Sequence, residues 1–341
     1  MQGGIWEIRL LNNNPEPQPV ADKGRVTVIG CGVIGLTTGI RLLEAGYSVT
    51  IIARDIPPAT TSNVAAAVWF PYHVNPLDRV LKWSQASLDV YYHLSTDMET
   101  GISISTFIDL YDTPVPDPWW CEAVRQFRRP LPHELPTGYG DGHVAEVPLI
   151  ETPVFMDWLV RRFLAHGGWI KQREVTDLRE ESAQGGMVVN CSGLGARVLA
   201  ADNEVFPVRG QIARVTRPAS INRVIFDEHG HNALAYVIPR RREVIVGGTA
   251  KVGDWNIRVD PQTATEILAK GVALAPELAE SSVIEHLVGL RPGRSAVRLE
   301  VEHTDRRGTI IHNYGHGGAG FTLAWGCAAE VVTLVRTVGI K

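Results

Sequence analysis

The sequence predicts an α/β fold in which a Rossmann-like dinucleotide-binding domain, discontinuous along the chain, is interleaved with a second, sheet-based α+β domain. Three observations predict it. A β-branched run from Val26 ends in Gly30-x-Gly32-x-x-Gly35 and passes directly into a helical pattern. An apolar strand within residues 186–195 ends on the small residues Ser192 and Gly193. A further strand within 308–320 runs into glycines and then into a long apolar segment.

The first unit is justified by its spacing. Gly30 permits the tight strand-to-helix turn, Gly32 lets a pyrophosphate approach the backbone, and Gly35 lets the helix pack closely on its strand. The phosphates then meet the free amides that open the helix, at Val33 and Ile34. Apolar residues at Val33, Ile34, Leu36, Ile40, Leu42 and Leu43 carry a helical pattern over 33–45, Gly46 is a C-cap, and residues 47–53 read as the next strand. Arg54 and Asp55 follow. An acid here accepts ribose hydroxyls and an arginine favours a ribose phosphate, so the pair alone is compatible with FAD or NADP.

The second and third segments decide between these. A late strand ending in a Thr/Ser-Gly step admits a dinucleotide in many FAD proteins, whereas a nicotinamide domain is usually completed in one block. The helix after Gly320 would place amides and partial positive charge where a reduced flavin develops negative charge. Three nucleotide-contacting segments spread across the chain are explained better by FAD.

With 341 residues, 45% hydrophobic and 21% charged, the chain can bury a sizeable core as two connected domains. We place an N-terminal extension at 1–24, the FAD-binding domain at 25–75, 150–205 and 300–341, and the substrate-binding domain at 76–149 and 206–299. A net charge of −4 gives no electrostatic reason to expect nucleic acid, and Arg240, Arg241 and Arg242 read as a solvated turn. Cys31, Cys121, Cys191 and Cys327 are scattered without close pairs, so neither a metal site nor a disulfide framework is expected and a reducing compartment fits. The first 24 residues lack a secretion-signal pattern, and no apolar run approaches the roughly 20 residues that cross a bilayer. The terminal Gly-Ile-Lys is unlike a Ser-Lys-Leu peroxisomal address, so a cytoplasmic protein without a membrane partner is expected.

Further motifs run in order along the chain: residues 60–69, Arg209-Gly-Gln211, 235–239, 246–249 with 253–255, 289–293 and 316–322. As an ordered set with the opening fingerprint, they resemble the D-amino-acid oxidase family from residue 25 to 336. The resemblance implies that Arg291 pairs bidentately with a substrate α-carboxylate, that Tyr236 donates to the same group, and that the Gly318 carbonyl accepts from the substrate amine. On the cofactor side it implies Thr60, Thr61 and Ser62 at phosphate or ribitol, and Ala66, Ala67 and Val68 near the flavin ring. It also implies Val175 at the adenine, Ser192 and Gly193 at the late strand end, and Gly317, Gly318, Gly320, Phe321 and Thr322 closing over the flavin, with the Thr322 hydroxyl or amide near the C2 carbonyl.

The implied reaction is oxidative deamination of a D-amino acid, with oxygen as the second substrate and a homodimer as a candidate assembly. No acid or base catalyst is required, and His312 and His316 read as loop hydrogen-bonding residues. Phe70, Phe226, Ile238 and Val68 form an apolar substrate wall that favours neutral, apolar side chains. Residues 226–235 correspond to an active-site lid, here one residue shorter, with Asn232 and Ala233 where animal members carry a second tyrosine. The alternatives are a D-aspartate oxidase, for which Arg223 is the nearest candidate cation although it reads better as a surface residue, and a nicotinamide-dependent dehydrogenase.

Overall fold

The computed structural model describes residues 6–7, 23–71, 74–183, 186–303 and 308–339. The N-terminal extension expected over 1–24 therefore falls largely outside the described residues. The chain begins with β1 (Trp6–Glu7), β2 (Arg25–Ile29), α1 (Val33–Glu44), β3 (Ser48–Ala53) and the short α2 (Thr61–Val64). It crosses to α3 (Leu77–Leu94), β4 (Ile102–Tyr111), β5 (Arg125–Arg128) and β6 (Asp141–Ile150), and returns through α4 (Thr152–Ala165), β7 (Trp169–Gln172), α5 (Leu178–Ala183), β8 (Met187–Asn190) and α6 (Ala196–Leu199). A second excursion comprises β9 (Phe206–Thr216), β10 (Val224–Asp227), β11 (Ala235–Pro239), β12 (Glu243–Gly247), β13 (Lys251–Val252), α7 (Pro261–Leu274) and β14 (Val283–Gly293). The chain ends in β15 (Arg298–His303), β16 (Thr309–Tyr314), a 3-10 turn (Gly317–Ala319) and α8 (Gly320–Gly339).

Among the described residues the strands form two sheets. One runs β1-β7-β3-β2-β8-β16-β15, parallel from β7 to β16 with antiparallel strands at both edges. Its central strands are apolar on both faces because helices cover both sides, as parallel sheets require. The other runs β13-β9-β12-β11-β10-β4-β6-β5, with β14 also paired to β9, and is antiparallel except where β10 meets β4.

The glycines of the first unit act as the spacing predicts. Gly30 has φ 112°, open to glycine and strained for other residues, and a Cβ there would overlap the Cys191 carbonyl. A Cβ on Gly35 would overlap the Gly30 carbonyl, so α1 reaches its close packing only with glycine. At the far end Gly46 (φ 93°) turns the chain after the Ala45 cap.

Helix α3 lies in the stretch assigned to the substrate domain, yet its buried face, Val80, Trp83, Ser84, Ser87, Leu88 and Tyr91, packs against α8 beside the parallel sheet. Gly326 permits that approach, since a Cβ there would overlap the Trp83 backbone. Tyr91 Oη donates to Phe321 O at 2.7 Å and Ser87 Oγ accepts from Gly326 N at 2.9 Å. The strand that returns to the parallel sheet begins at Arg298 rather than 300. The expectation that no apolar run approaches membrane length also meets an exception: residues 317–339 are long and apolar enough by composition to span a bilayer, but 67% of the most apolar window is buried in the fold. The sequence signal there is that of a core helix.

Candidate active site

The carboxyl ends of β2, β3, β7, β8 and β16 open on one side of the parallel sheet, the position where α/β sheets bind ligands. There the two sheets enclose a cavity of about 1070 Å³, at the upper limit of the roughly 300–1,000 Å³ of small-molecule sites. Its dinucleotide end is floored by Gly30 and Gly32, with Val33 and Ile34 at the helix start, Arg54 and Asp55 after β3, Val175 after β7, and Ser192 and Gly193 after β8. Helix α1 has no side-chain cap and no acid in its first turn, so its positive end is directed at the cavity. The Val33 amide donates to Ser62 Oγ at 3.0 Å, a bond that places the Ser62 hydroxyl at the helix mouth. A Cβ on Gly32 would lie 3.1 Å from that hydroxyl, so a side chain would fill the cradle. Arg54 Nη2 and Asp55 Oδ2 pair at 2.7 Å on the open rim.

The other end is built by the second sheet. The registers Phe226–Tyr236 and Tyr236–Gly247 set their side-chain positions on one sheet face, and a Cβ on Gly247 would overlap the Tyr236 ring. Burial pushes the Tyr236 phenol up while the neighbouring Arg291 guanidinium pulls it down; the net rise keeps the hydroxyl protonated and able to donate. Arg291 comes from β14, donates through Nη1 to Thr249 O at 2.9 Å, and lies so close over Gly210 that a Cβ there would strike the guanidinium. Phe70, Phe226 and Phe107 pack in edge-to-face and tilted contacts with centroids 5.1–5.6 Å apart, and Phe226 continues onto Tyr236 at 5.4 Å. Phe70, Phe226, Ile238 and Val68 all line the cavity.

Of the residues expected at the site, Thr60, Thr61, Ser62, Ala66, Ala67, Gly317, Gly318, Gly320 and Phe321 line it too. Gly35 and Thr322 do not. Gly35 acts through helix packing, and the Thr322 hydroxyl is engaged elsewhere: it donates to Phe70 O at 2.7 Å and accepts from Phe70 N at 3.1 Å, fixing the aromatic wall from behind. Arg223 is half-buried and does not line the cavity. His312 is a strand residue, with Nε2 3.0 Å from Glu302 Oε2, rather than a loop residue. His316 is 2% exposed, lines the cavity with no partner for Nε2, and is pushed down to about 3 by burial, so it is neutral.

The turn from 228 to 234 is tied down, with Asp227 accepting from Gly230 N at 2.5 Å, Asn232 N at 2.8 Å and Tyr139 Oη at 2.5 Å. Thr249 and Trp255, which lie in the ordered motifs but carried no expected site role, and Ile257, outside those motifs, also line the cavity. Arg240, expected in a solvated turn, is instead 4% exposed. The four cysteines are unpaired, and burial pushes the Cys31 and Cys191 thiols up to about 12, in keeping with incidental thiols. No metal-binding cluster occurs among the described residues.

A parallel sheet whose strand ends open on a glycine-floored dinucleotide cradle, continuous with a cationic and aromatic pocket, defines a dinucleotide-dependent oxidoreductase. The residues fit FAD, since the helix start, free of acidic side chains, and the cradle that a Cβ would fill both face that space. The profile of the family DAO, FAD dependent oxidoreductase, matches residues 25–334, and the chain belongs to that family. It is 45% identical over 311 residues to the D-amino-acid oxidase of Rubrobacter xylanophilus, covering 91% of this chain and 95% of that protein. The D-aspartate oxidase of Homo sapiens is 36% identical over 328 residues, covering 92% and 95%. The glycine oxidase from Geobacillus kaustophilus shares the fold, with a TM-score of 0.76 at 22% identity over 92% of this chain and 95% of that one. The chain is thus an FAD-dependent enzyme, and the nicotinamide alternative is set aside.

Proposed function

We propose that this enzyme oxidises D-amino acids, with oxygen and water, to 2-oxo acids, ammonia and hydrogen peroxide. The observation that carries the reading is the juxtaposition of Arg291 and Tyr236 on one wall of the cofactor cavity, with Gly317 and Gly318 also lining it and an aromatic wall beside them. The guanidinium and the protonated phenol clamp the α-carboxylate, and the Gly318 carbonyl accepts from the amine. When bound, FAD supplies the two-electron acceptor. The protein's part is orientation and exclusion of water: two polar anchors and an apolar wall fix which face of the α-carbon is presented, and no side chain need hold the reacting proton.

Substrate preference follows from the same wall. Phe70, Phe226, Ile238 and Val68 favour neutral, apolar side chains, because burying an unpaired carboxylate among them is costly. A D-aspartate oxidase is the second reading, favoured by the human relative of that name. It needs a second cation at the pocket, and Arg223 does not line the cavity. The test is the anaerobic visible spectrum of the FAD-loaded protein before and after D-alanine, D-valine, D-arginine, D-aspartate and their L forms. Bleaching by neutral D forms is expected. Bleaching mainly by D-aspartate would transfer the assignment to the second reading, and no bleaching by any amino acid would remove both.

A further inference from the structure

Arg240 stands immediately after β11, the strand that carries Tyr236 and Ile238, and its amide closes the turn by donating to Glu243 O at 2.8 Å. Its side chain runs inward instead of into solvent. Nη2 donates to Ala65 O at 2.8 Å, Ala66 O at 3.3 Å and Thr152 Oγ1 at 2.9 Å, and Nη1 donates to Glu243 Oε1 at 3.1 Å. Thr152 Oγ1 in turn donates to Asn63 O at 3.2 Å and Ala65 O at 3.0 Å.

The segment so gripped, Ala65 to Val68, lines the cavity. Beyond the grip, Ala67 O accepts from Ile150 N at 3.0 Å and Trp69 N donates to Pro148 O at 2.9 Å, so β6 holds the far half of the segment and Arg240 the near half. Between them Ala67 sits at φ 51°, a left-handed backbone that a non-glycine residue keeps only where its surroundings impose it.

We propose that Arg240 is a positioning residue for the cofactor: reaching across from the second sheet, it fixes the Ala65 and Ala66 carbonyls and so sets the wall against which the flavin ring lies. The inference rests on the reading that Ala66 to Val68 meets that ring. Lysine, with a single point donor in place of a planar fork, would satisfy part of this set, and methionine none of it. Glu243 keeps Arg214 at 2.7 Å, so loss of Arg240 does not strand its carboxylate.

The experiment compares wild type, Arg240→Lys and Arg240→Met as apoproteins, measuring the FAD Kd by titration, the visible band of bound flavin, and Tm without and with saturating FAD. The expected result is at least a tenfold weaker FAD Kd for R240M, a changed flavin band, and a smaller FAD-induced rise in Tm, with R240K between. A purely structural role would lower Tm equally with and without FAD and leave Kd within threefold; that outcome overturns the proposal. If R240M gives no soluble apoprotein, R240K decides by the same criteria. A wild-type protein that bound FAD without responding to any amino acid would defeat the substrate reading while leaving this one to be judged on Kd and Tm.

Discussion

Gly247 offers the sharpest test of how the carboxylate clamp is built, because the Tyr236 ring occupies the space that a side chain at this position would fill. In Gly247→Ala the new methyl would overlap that ring, and the overlap falls on a packed aromatic rather than on the end of a mobile chain. Tyr236 is flanked by Phe226 at 5.4 Å, so the ring has to shift to make room, and the shift disturbs the placement of its hydroxyl beside Arg291. A hydrogen bond to a charged group contributes about 1.5–3 kcal/mol, so losing the phenol's share of the clamp should raise KM roughly 10–150-fold. Overpacking adds a stability cost of about 1–3 kcal/mol. The assay is steady-state kinetics with the best neutral D-amino acid, beside an FAD titration and the variant Tyr236→Phe, which keeps the ring and removes the hydroxyl. Both variants should raise KM while binding FAD as the wild type does. A KM for G247A within threefold of wild type, or loss of FAD binding without a change in KM, would refute the reasoning.

Two further outcomes are expected. Asp109 is buried and accepts from Tyr111 Oη at 2.7 Å; burial pushes its carboxyl up to about 7, against the lowering effect of that hydrogen bond. Between about pH 4 and 7 the unfolded chain has lost this proton while the folded chain keeps it, so stability falls as pH rises, by on the order of 4 kcal/mol in all. Asp109→Asn removes that slope, and urea unfolding should show it more stable than wild type at pH 8 but not at pH 4.5; an equal difference at both would sink the assignment. Gly35→Ala sets a methyl against the Gly30 carbonyl, backbone that cannot step aside, and should cost more than the roughly 1–3 kcal/mol of ordinary overpacking and lose FAD together with stability; a variant that unfolds like wild type and stays yellow would contradict the packing role.

What the sequence disclosed was local. The β-α-β unit, expected as a strand from 26, a helix over 33–45 and a strand over 47–53, is found at 25–29, 33–44 and 48–53, because glycine spacing and β-branched runs act within a few residues. Tyr236 and Arg291 were placed by motif order, and the structure brings them together through β11 and β14 of one sheet. What could not be read were partnerships made by distant chain. Three consecutive arginines look like surface, and the burial of Arg240 depends on carbonyls some 175 positions away. The Thr322 hydroxyl, one of the two groups of that residue expected near the flavin, is instead bonded to the Phe70 backbone. The one available hint was that Arg240 directly follows an apolar, largely buried strand, where a charge must either turn outward or find acceptors.

The chain passes between the two sheets four times, visiting the parallel sheet with β1–β3, β7–β8 and β15–β16 and the other with β4–β6 and β9–β14. Neither half is a cassette. The pocket wall draws on two separate stretches, Val68 and Phe70 before the first crossing and Phe226, Tyr236, Ile238 and Arg291 within β10–β14, and the parallel sheet is itself split three ways along the chain. Re-engineering this enzyme's substrate range is therefore a matter of single side chains on the walls, with the two-sheet weave left intact.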